Sequence, residues 1–373
     1  MTEAEKEFKP LSQWQLIWRR FKRHRIGALG GIIVFILTLL AIFADFLGPY
    51  YYATQQRDFA LAPPTRLHFI DEQGRASRPF VYGLKRTRHP LTNRRIYIED
   101  RTQKYYIKLF VRGDEYRFLG LFKTDLHLFG TEQPLNRPGQ IFLFGTDDSG
   151  RDLFSRVLIG ARISLAIGPL SLIAAFILGV FFGGISGYYG GGFDIFIQRV
   201  IEVLQSFPGL PLLIALAAIF RAWPSPFDFF AIVLVLSILG WGGLARVLRG
   251  QFLSLRELEF ALAAKAMGAT DLRIIFKHLL PNTMSYLIVA ATLAIPGAIL
   301  GEAALSFLGL GIKEPTPSWG LMLSQANSIP ILKFNPWLLI PGVFIIVAVL
   351  AFNFLGDALR DAVDPYSVKG RGA

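Results

Sequence analysis

The chain has 373 residues, 53% of them hydrophobic and only 18% charged, where soluble domains average about 25% charged; that balance excludes an ordinary soluble domain and points to a membrane. Lys and Arg outnumber Asp and Glu by 39 to 27, a net charge of +12, and in so apolar a chain the excess marks the flanks of spanning helices rather than a nucleic-acid surface. With no cysteine in the sequence, disulfides, thiolate metal centres and a cysteine nucleophile are excluded as well.

The basic stretch RRFKRHR leads into an apolar run, Ile26–Leu47, of 22 residues, close to the ~20 that cross a bilayer. A signal peptide has a shorter apolar core and a small-residue cleavage site, so this run is predicted to remain as a first span. Residues Gly48–Phe144 are polar and basic. There RRIYI, YYIKLFV and EYRFLGLF alternate with EDRTQK and RGD, while HFI and PFVYGL flank DEQGR. This pattern predicts a β-rich meander on the outer side, either a solvated decoration or a docking surface. Five further apolar runs follow: Ile163–Tyr188, Val200–Phe220, Phe227–Leu248, Thr283–Leu305 and Trp337–Leu355.

Lys and Arg in the connections orient these six spans. Seven precede the first span and three follow the last. One, Arg199, follows the second, and six (Arg246, Arg249, Arg256, Lys265, Arg273 and Lys277) follow the fourth. The alternate connections hold one, near Arg221, and two, between Ser306 and Pro336. Both termini and the stretch Phe260–Asn282 are therefore predicted to face the cytosol. Small-xxx-small spacing at Gly27 and Gly31, and at Gly179, Gly183 and Gly187, predicts close helix packing within a bundle. Pro169, Pro208, Pro211, Pro296 and Pro341 are candidate kinks.

Catalytic motifs are missing. The sequence has no GxxxxGK[ST], HExxH or GxSxG, and its five histidines lack metal-ligand spacing. Asp45, Glu202 and Glu302 lie toward span ends, so no midplane relay of the kind proton-driven carriers keep is present. If the chain transports, another chain must supply the energy.

The charged stretch FALAAKAMGATDLRIIFKHLLPN carries the clearest signal. Ser254 with Glu257 fits a capping box, and Gly268 suits a left-handed helix end. Thr270 can cap a second helix, Asp271–Leu279, which Pro281 ends or joins to the next span. Two short helices with a sharp bend are predicted, the first presenting Ala261, Ala263, Ala264 and Ala266 as a small-residue surface. The stretch resembles the cytosolic EAA loop, EAA-x3-G-x9-I-x-LP, of binding-protein-dependent ABC importer permeases. Ala263, Ala264, Gly268, Leu280 and Pro281 match it, whereas Leu262 replaces the leading Glu and His278 the Ile. Glu259 is the nearest carboxylate. GTDDSGRDLFSRVLIGARISL, LQSFPGLPLL and EAALSFLGLG are similar to segments of the dipeptide, oligopeptide and nickel subfamily, and the basic tail and segment order resemble its C-type subunit.

The resemblance, which covers Met1–Pro49 and Gly145 onward, implies an all-α polytopic membrane protein with six transmembrane helices, like type I ABC importer permeases; the β-rich extracytoplasmic insertion between the first two spans is read from its own strand and turn pattern and is larger than that subunit would lead one to expect. The implied division is a cytosolic tail at 1–25, a first span at 26–47 and the insertion at 48–144. A permease core of five helices follows at 145–358, with the coupling loop at 249–282, and a tail at 359–373. A heterodimer with a homologous permease, two cytosolic ABC ATPases and an extracytoplasmic solute-binding protein are the implied partners, with membrane lipid and no nucleic acid. ATP and Mg are expected on the ATPases and no cofactor on this chain. Glu259, Ala263, Ala264, Lys265, Gly268, Ala269, Thr270, Asp271, Leu280 and Pro281 are the expected ATPase-coupling residues. Pro208, Pro296 and Glu302 are candidates for the translocation path. Peptides are the leading solute, with nickel chelates or another small solute as alternatives; a secondary carrier or channel, or a membrane enzyme using the outer region, are the other classes.

Overall fold

The structure is a computed structural model that describes residues 13–363 apart from 72–73, 89, 91–92, 94, 132, 134–136, 138 and 221–226. The basic residues expected near either terminus and at Arg221 lie partly outside this range. An amphipathic helix, α1 (Gln13–Arg23), opens the described chain and α2 (Arg25–Ile42) forms the first long apolar helix, followed by a short turn of helix, α3 (Ala44–Leu47).

Among the described residues five strands come next: β1 (His68–Ile70), β2 (Ala76–Arg88), β3 (Arg95–Tyr106), β4 (Lys108–Phe118) and β5 (Phe122–Gly130). β1–β2–β3 form one antiparallel sheet and β4–β5 a separate hairpin. The stretches EDRTQK and RGD, expected as turns, are irregularities inside long strands. Tyr82 pairs with Lys104 but Gly83 with Asp100, so the residues between bulge out, and Asp100 accepts bonds from the Thr102 amide and hydroxyl. The bulge at residues 113–115 lies where the β4–β5 register shifts, between Arg112 and Tyr116. Turn-forming residues here re-aim a strand instead of ending it.

The bundle follows: α4 (Leu153–Tyr189), α5 (Gly191–Ser206), α6 (Gly209–Phe220) and α7 (Phe227–Leu255). Next are α8 (Glu259–Ala266), α9 (Asp271–Arg273) and α10 (Leu280–Phe307), and last α11 (Trp319–Ser324), α12 (Ile329–Phe334) and α13 (Ile340–Val363). Among the described residues, five helical stretches are long and apolar enough to cross a membrane, and the α5–α6 pair makes six if it counts as one span. That pair occupies the third apolar run and bends by 98° at Pro208, one of the candidate kinks. The cause is Pro208, which drives the preceding Phe207 out of helical geometry to φ −81°, ψ 139°.

Packing follows the glycines. A Cβ on Gly183 would stand 2.4 Å from the Ala245 carbonyl oxygen, so α4 and α7 touch backbone to backbone. On α2, Gly27 and Gly30 carry the contact with α13; Gly31, expected in this role, has only ordinary contacts. The largest core cluster joins α2, α4, α10, α11 and α13 through Leu37, Val157, Ile299, Trp319 and Phe352.

Candidate functional site

Two constellations stand at opposite ends of α4. At its first residues, the strand end, the GTDDSGRD segment folds on itself. Asp147 accepts bonds from the Arg151 amide (2.8 Å) and Nε (2.6 Å). Arg151 grips both oxygens of Glu314 (2.5 and 3.0 Å), and Arg156 donates to the same carboxylate at 2.9 Å. Asp152 caps α4 by accepting from the Ser155 amide and hydroxyl. Burial pushes the Asp152 carboxyl up to about 7. Gly150 lies so close to Gln56 that a Cβ would meet its carbonyl oxygen at 2.0 Å.

At the other end, the loop end, α7 runs through Ser254 to Leu255. Ser254 is therefore helical and cannot serve in a capping box; Leu248 and Phe252, fully buried, hold the helix together past it. α8 begins without a side-chain cap at Leu258. The chain reverses at Gly268, whose φ of +79° is the left-handed value its sequence position suggested. Thr270 occupies the cap position of α9, but its side chain makes no capping bond. From Asp271 the helix continues through a π-helical turn, Ile274–Leu279, into α10. The expected second short helix is thus the start of the span. Pro281 follows directly on the π-helical turn, at the start of α10, and the Asn282 side-chain amide donates to the His278 carbonyl (2.6 Å).

The loop is bolted to the bundle through Asp271, an expected coupling residue, by partners that no sequence motif marked. The Tyr188 and Tyr189 hydroxyls donate to the two oxygens of Asp271 at 2.7 and 3.1 Å. Arg256 donates to the Tyr188 carbonyl at 2.9 Å. One step further along, Arg249 holds Asp194 through two bonds, and Ser186 donates to the same carboxylate. The adjacent tyrosines at the end of the second apolar run are the only local signal that could have marked this anchor.

The alanine surface is two-sided rather than uniform. Ala261 and Ala264 are buried against Leu279 and Ile274, while Ala263, Lys265 and Ala266 face outward. Glu259, Gly268 and Thr270 are also exposed, Ala269 is half-buried, and Leu280 and Pro281 bracket the turn into the span. Around them, Leu258, Leu262, Met267, Leu272 and Phe276 expose large apolar side chains, Met267 by 82%. A hollow of about 360 Å³ opens beside α8, between Tyr188, Arg256, Leu262, Lys265 and Asp271.

The translocation candidates are not gathered in one place. Pro208 is exposed at the α5–α6 corner and Pro296 is buried inside α10. Glu302, expected toward a span end where water or a neighbour satisfies it, is wholly buried and satisfied by neighbours, with Ser306 (2.7 Å) and Ser164 (3.2 Å) donating to its carboxylate. The bond from Ser164 ties α10 to α4, and Ser306, one turn along α10 itself, supplies the second donor, so two hydroxyls replace the water the carboxylate would otherwise need. Among the described residues, no group of three or more His, Cys, Asp or Glu is placed to hold a metal ion.

The family described as the binding-protein-dependent transport system inner membrane component matches residues 179–367, half of the chain. The chain belongs to that family. Residues 12–64 match a second description, the N-terminal TM domain of oligopeptide transport permease C. A dipeptide transport system permease protein, DppC of Bacillus subtilis, is 44% identical over 63% of this chain and 72% of its own. The oligopeptide transport system permease protein OppC of the same organism is 33% identical over 97% of this chain and 93% of its own. Among solved structures, the MetNI methionine ABC transporter in inward-facing conformations matches 56% of this chain and 96% of its own at 22% identity, with a TM-score of 0.45. This permease is a multi-pass inner-membrane subunit of an ABC importer. It is not itself an enzyme; the ATPase activity of such importers lies in partner subunits.

Proposed function

We propose that this permease forms half of a peptide translocation path and is driven through its α7–α10 loop by a cytosolic ATPase. The carrying observation is the exposed apolar row on a loop fastened by Asp271, Tyr188 and Arg256 to the end of α4. A solvent-facing row of this size marks an interaction site, and its rigid attachment lets force on α8 reach α4, α7 and α10 together. Glu259, Ala263, Lys265, Gly268, Thr270 and Asp271 shape that contact, with Leu262 giving an apolar anchor where related loops place a Glu. Ala264, Ala269, Leu280 and Pro281 support it from beneath. Pro208, Pro296 and Glu302 support the helices around the path.

In this reading both termini and the loop face the cytosol, and the strands face outward toward a solute-binding protein. A homologous permease completes the path, and ATP and Mg bind the ATPases. The names of the relatives support peptides over nickel chelates as the solute. The test is Leu272→Asp and Leu262→Asp, two outward positions, in the full transporter. Membrane levels and permease pairing should hold, while ATPase co-purification and ATP-driven peptide uptake fall about tenfold, as for loss of an interface hot spot. Unchanged co-purification in both variants overturns the reading.

A further inference from the structure

The β4–β5 hairpin leans against the spans. The ring of Phe110 lies 6.3 Å from that of Phe46, and the ring of Phe118 lies 5.9 Å from that of Phe43. β4 therefore crosses the end of the first span toward its deeper turn. Arg117 and Lys123, paired across the hairpin just before its tip, share a hollow of about 520 Å³ with Asp45, Ile159, Arg162 and Ile163. Arg162 in turn donates to the Ala41 and Ile42 carbonyls (2.6 and 2.9 Å) and pairs with Asp45 at 2.7 Å. The end of the hairpin is thus level with residues 41–45. Ile42 is one helix length from Arg25, about 26 Å of rise, against the ~30 Å of a hydrocarbon layer. That level is the edge of the bilayer's apolar core.

The composition of the tip fits this position. Leu119, Leu121 and Phe122 are 47%, 79% and 57% exposed. Leu119 has φ +49° and Gly120 φ +76°. A turn facing water would use Asn-Gly here; a leucine in the left-handed region is strained and contributes nothing to the turn itself. Exposed Arg117 and Lys123 flank this apolar tip. Apolar side chains at the acyl boundary, with cations reaching back to phosphates, are what interfacial membrane elements carry.

We propose that the β4–β5 tip is a second membrane contact, with Leu119, Leu121 and Phe122 among the acyl chains of the strand-side leaflet and Arg117 and Lys123 on phospholipid phosphates. Among the described residues the hairpin is a two-stranded sheet, and its unpaired edges bar it from going deeper into hydrocarbon. Its root is fixed. The His127 ring nitrogens face the Gly48 and Asp114 carbonyls at 2.5 and 3.0 Å, and Asp114 accepts from the Tyr51 amide and the Thr54 hydroxyl. A tip held in the leaflet therefore sets the height and tilt of the whole insertion above the membrane. This requires only that the spans cross a bilayer, and stands whether or not the opposite loop meets an ATPase.

The chain has no cysteine, so single labels are clean. Leu121→Cys carries an environment-sensitive fluorophore in the full chain in phospholipid nanodiscs with and without brominated lipid. Asp148→Cys is the control: it is exposed and precedes α4, which rises about 14 Å between Leu153 and Arg162. Expected are a blue-shifted emission from the label at position 121, quenched about twofold by bromine as for a probe at the acyl boundary, and no quenching at the control. A label on Phe122→Cys should lose that quenching when Leu119→Asn and Leu121→Ser are added. Red, unquenched emission from position 121 means water; blue, unquenched emission means a protein surface. Either result overturns the proposal, as does quenching at position 122 that survives the double substitution.

Discussion

The strand end of α4 pairs its charges within the chain, and the loop end leaves an apolar row uncovered. Around Arg156, which is fully buried, Asp147, Arg151 and Glu314 form a charged cluster from within the chain, the two carboxylates supplying the opposite charge. Around α8, charge is fastened inward through Asp271 and Arg256, yet Leu262, Met267, Leu272 and Phe276 are left facing out. The first arrangement is expensive to break and needs no partner. The second is cheap to alter locally and makes sense only with one. Stability and coupling are therefore expected to separate between the two ends.

Glu314→Ala should have the largest effect on stability. It leaves Arg151 and the fully buried Arg156 short of a counter-charge; because the Glu314 side chain is itself 39% exposed, the expected cost is about 3 kcal/mol, the low end for breaking a buried pair. Thermal melting of purified protein should show the loss, with Glu314→Gln intermediate; a melt like that of the unaltered chain would mean the strand end is not the closed unit described here. Ala264→Asp should come next. Ala264 is 3% exposed against Ile274 and Leu279, so the change buries a carboxylate without a partner at about 2–4 kcal/mol. Hydrogen exchange should then rise across Ile274–Leu279 as well as transport falling, which distinguishes an inward from an outward role for this alanine.

Gly268→Val acts on the backbone alone, since a Cβ there meets nothing within 4 Å. Strain at φ +79° costs about 1–3 kcal/mol, and the melt should change less than with Glu314→Ala. ATPase co-purification should nonetheless drop, because the angle between α8 and α9 is set at this residue. A variant with normal ATPase binding and uptake would remove the bend from the mechanism.

The smallest change is a slope. Burial raises the Asp152 carboxyl from 3.8 to about 7, so the fold holds this proton more tightly than the unfolded chain. The contribution is complete below the unfolded value and is lost as pH rises toward the folded one. Stability should fall by about 1.4 kcal/mol between about pH 5.5 and 6.5. Asp152→Asn keeps the helix cap and should flatten that slope; an unchanged slope would assign it to another group.

Sequence alone determined the membrane character, the positions of the apolar runs, the left-handed Gly268 and the strand-rich stretch after the first span. Each depends on local composition: enough apolar residues to match a bilayer, or a single residue type that tolerates positive φ. Pro208 was also visible, and its bend could have been read from the residue before a proline. Tertiary structure decided the rest. Ser254 looked like a cap until burial of Phe252 carried α7 beyond it. Glu302 looked interfacial until Ser164, 138 residues away in sequence, closed over it. Glu314 had no local pattern, yet it neutralises arginines 158 and 163 residues earlier. The four alanines of the loop looked equivalent until α8 packed on Ile274 and Leu279 and divided them into two buried and two exposed. Periodicity and turn chemistry are properties of neighbours along the chain. The partner of a buried charge, and the face a short helix turns inward, depend on which distant segments pack against it.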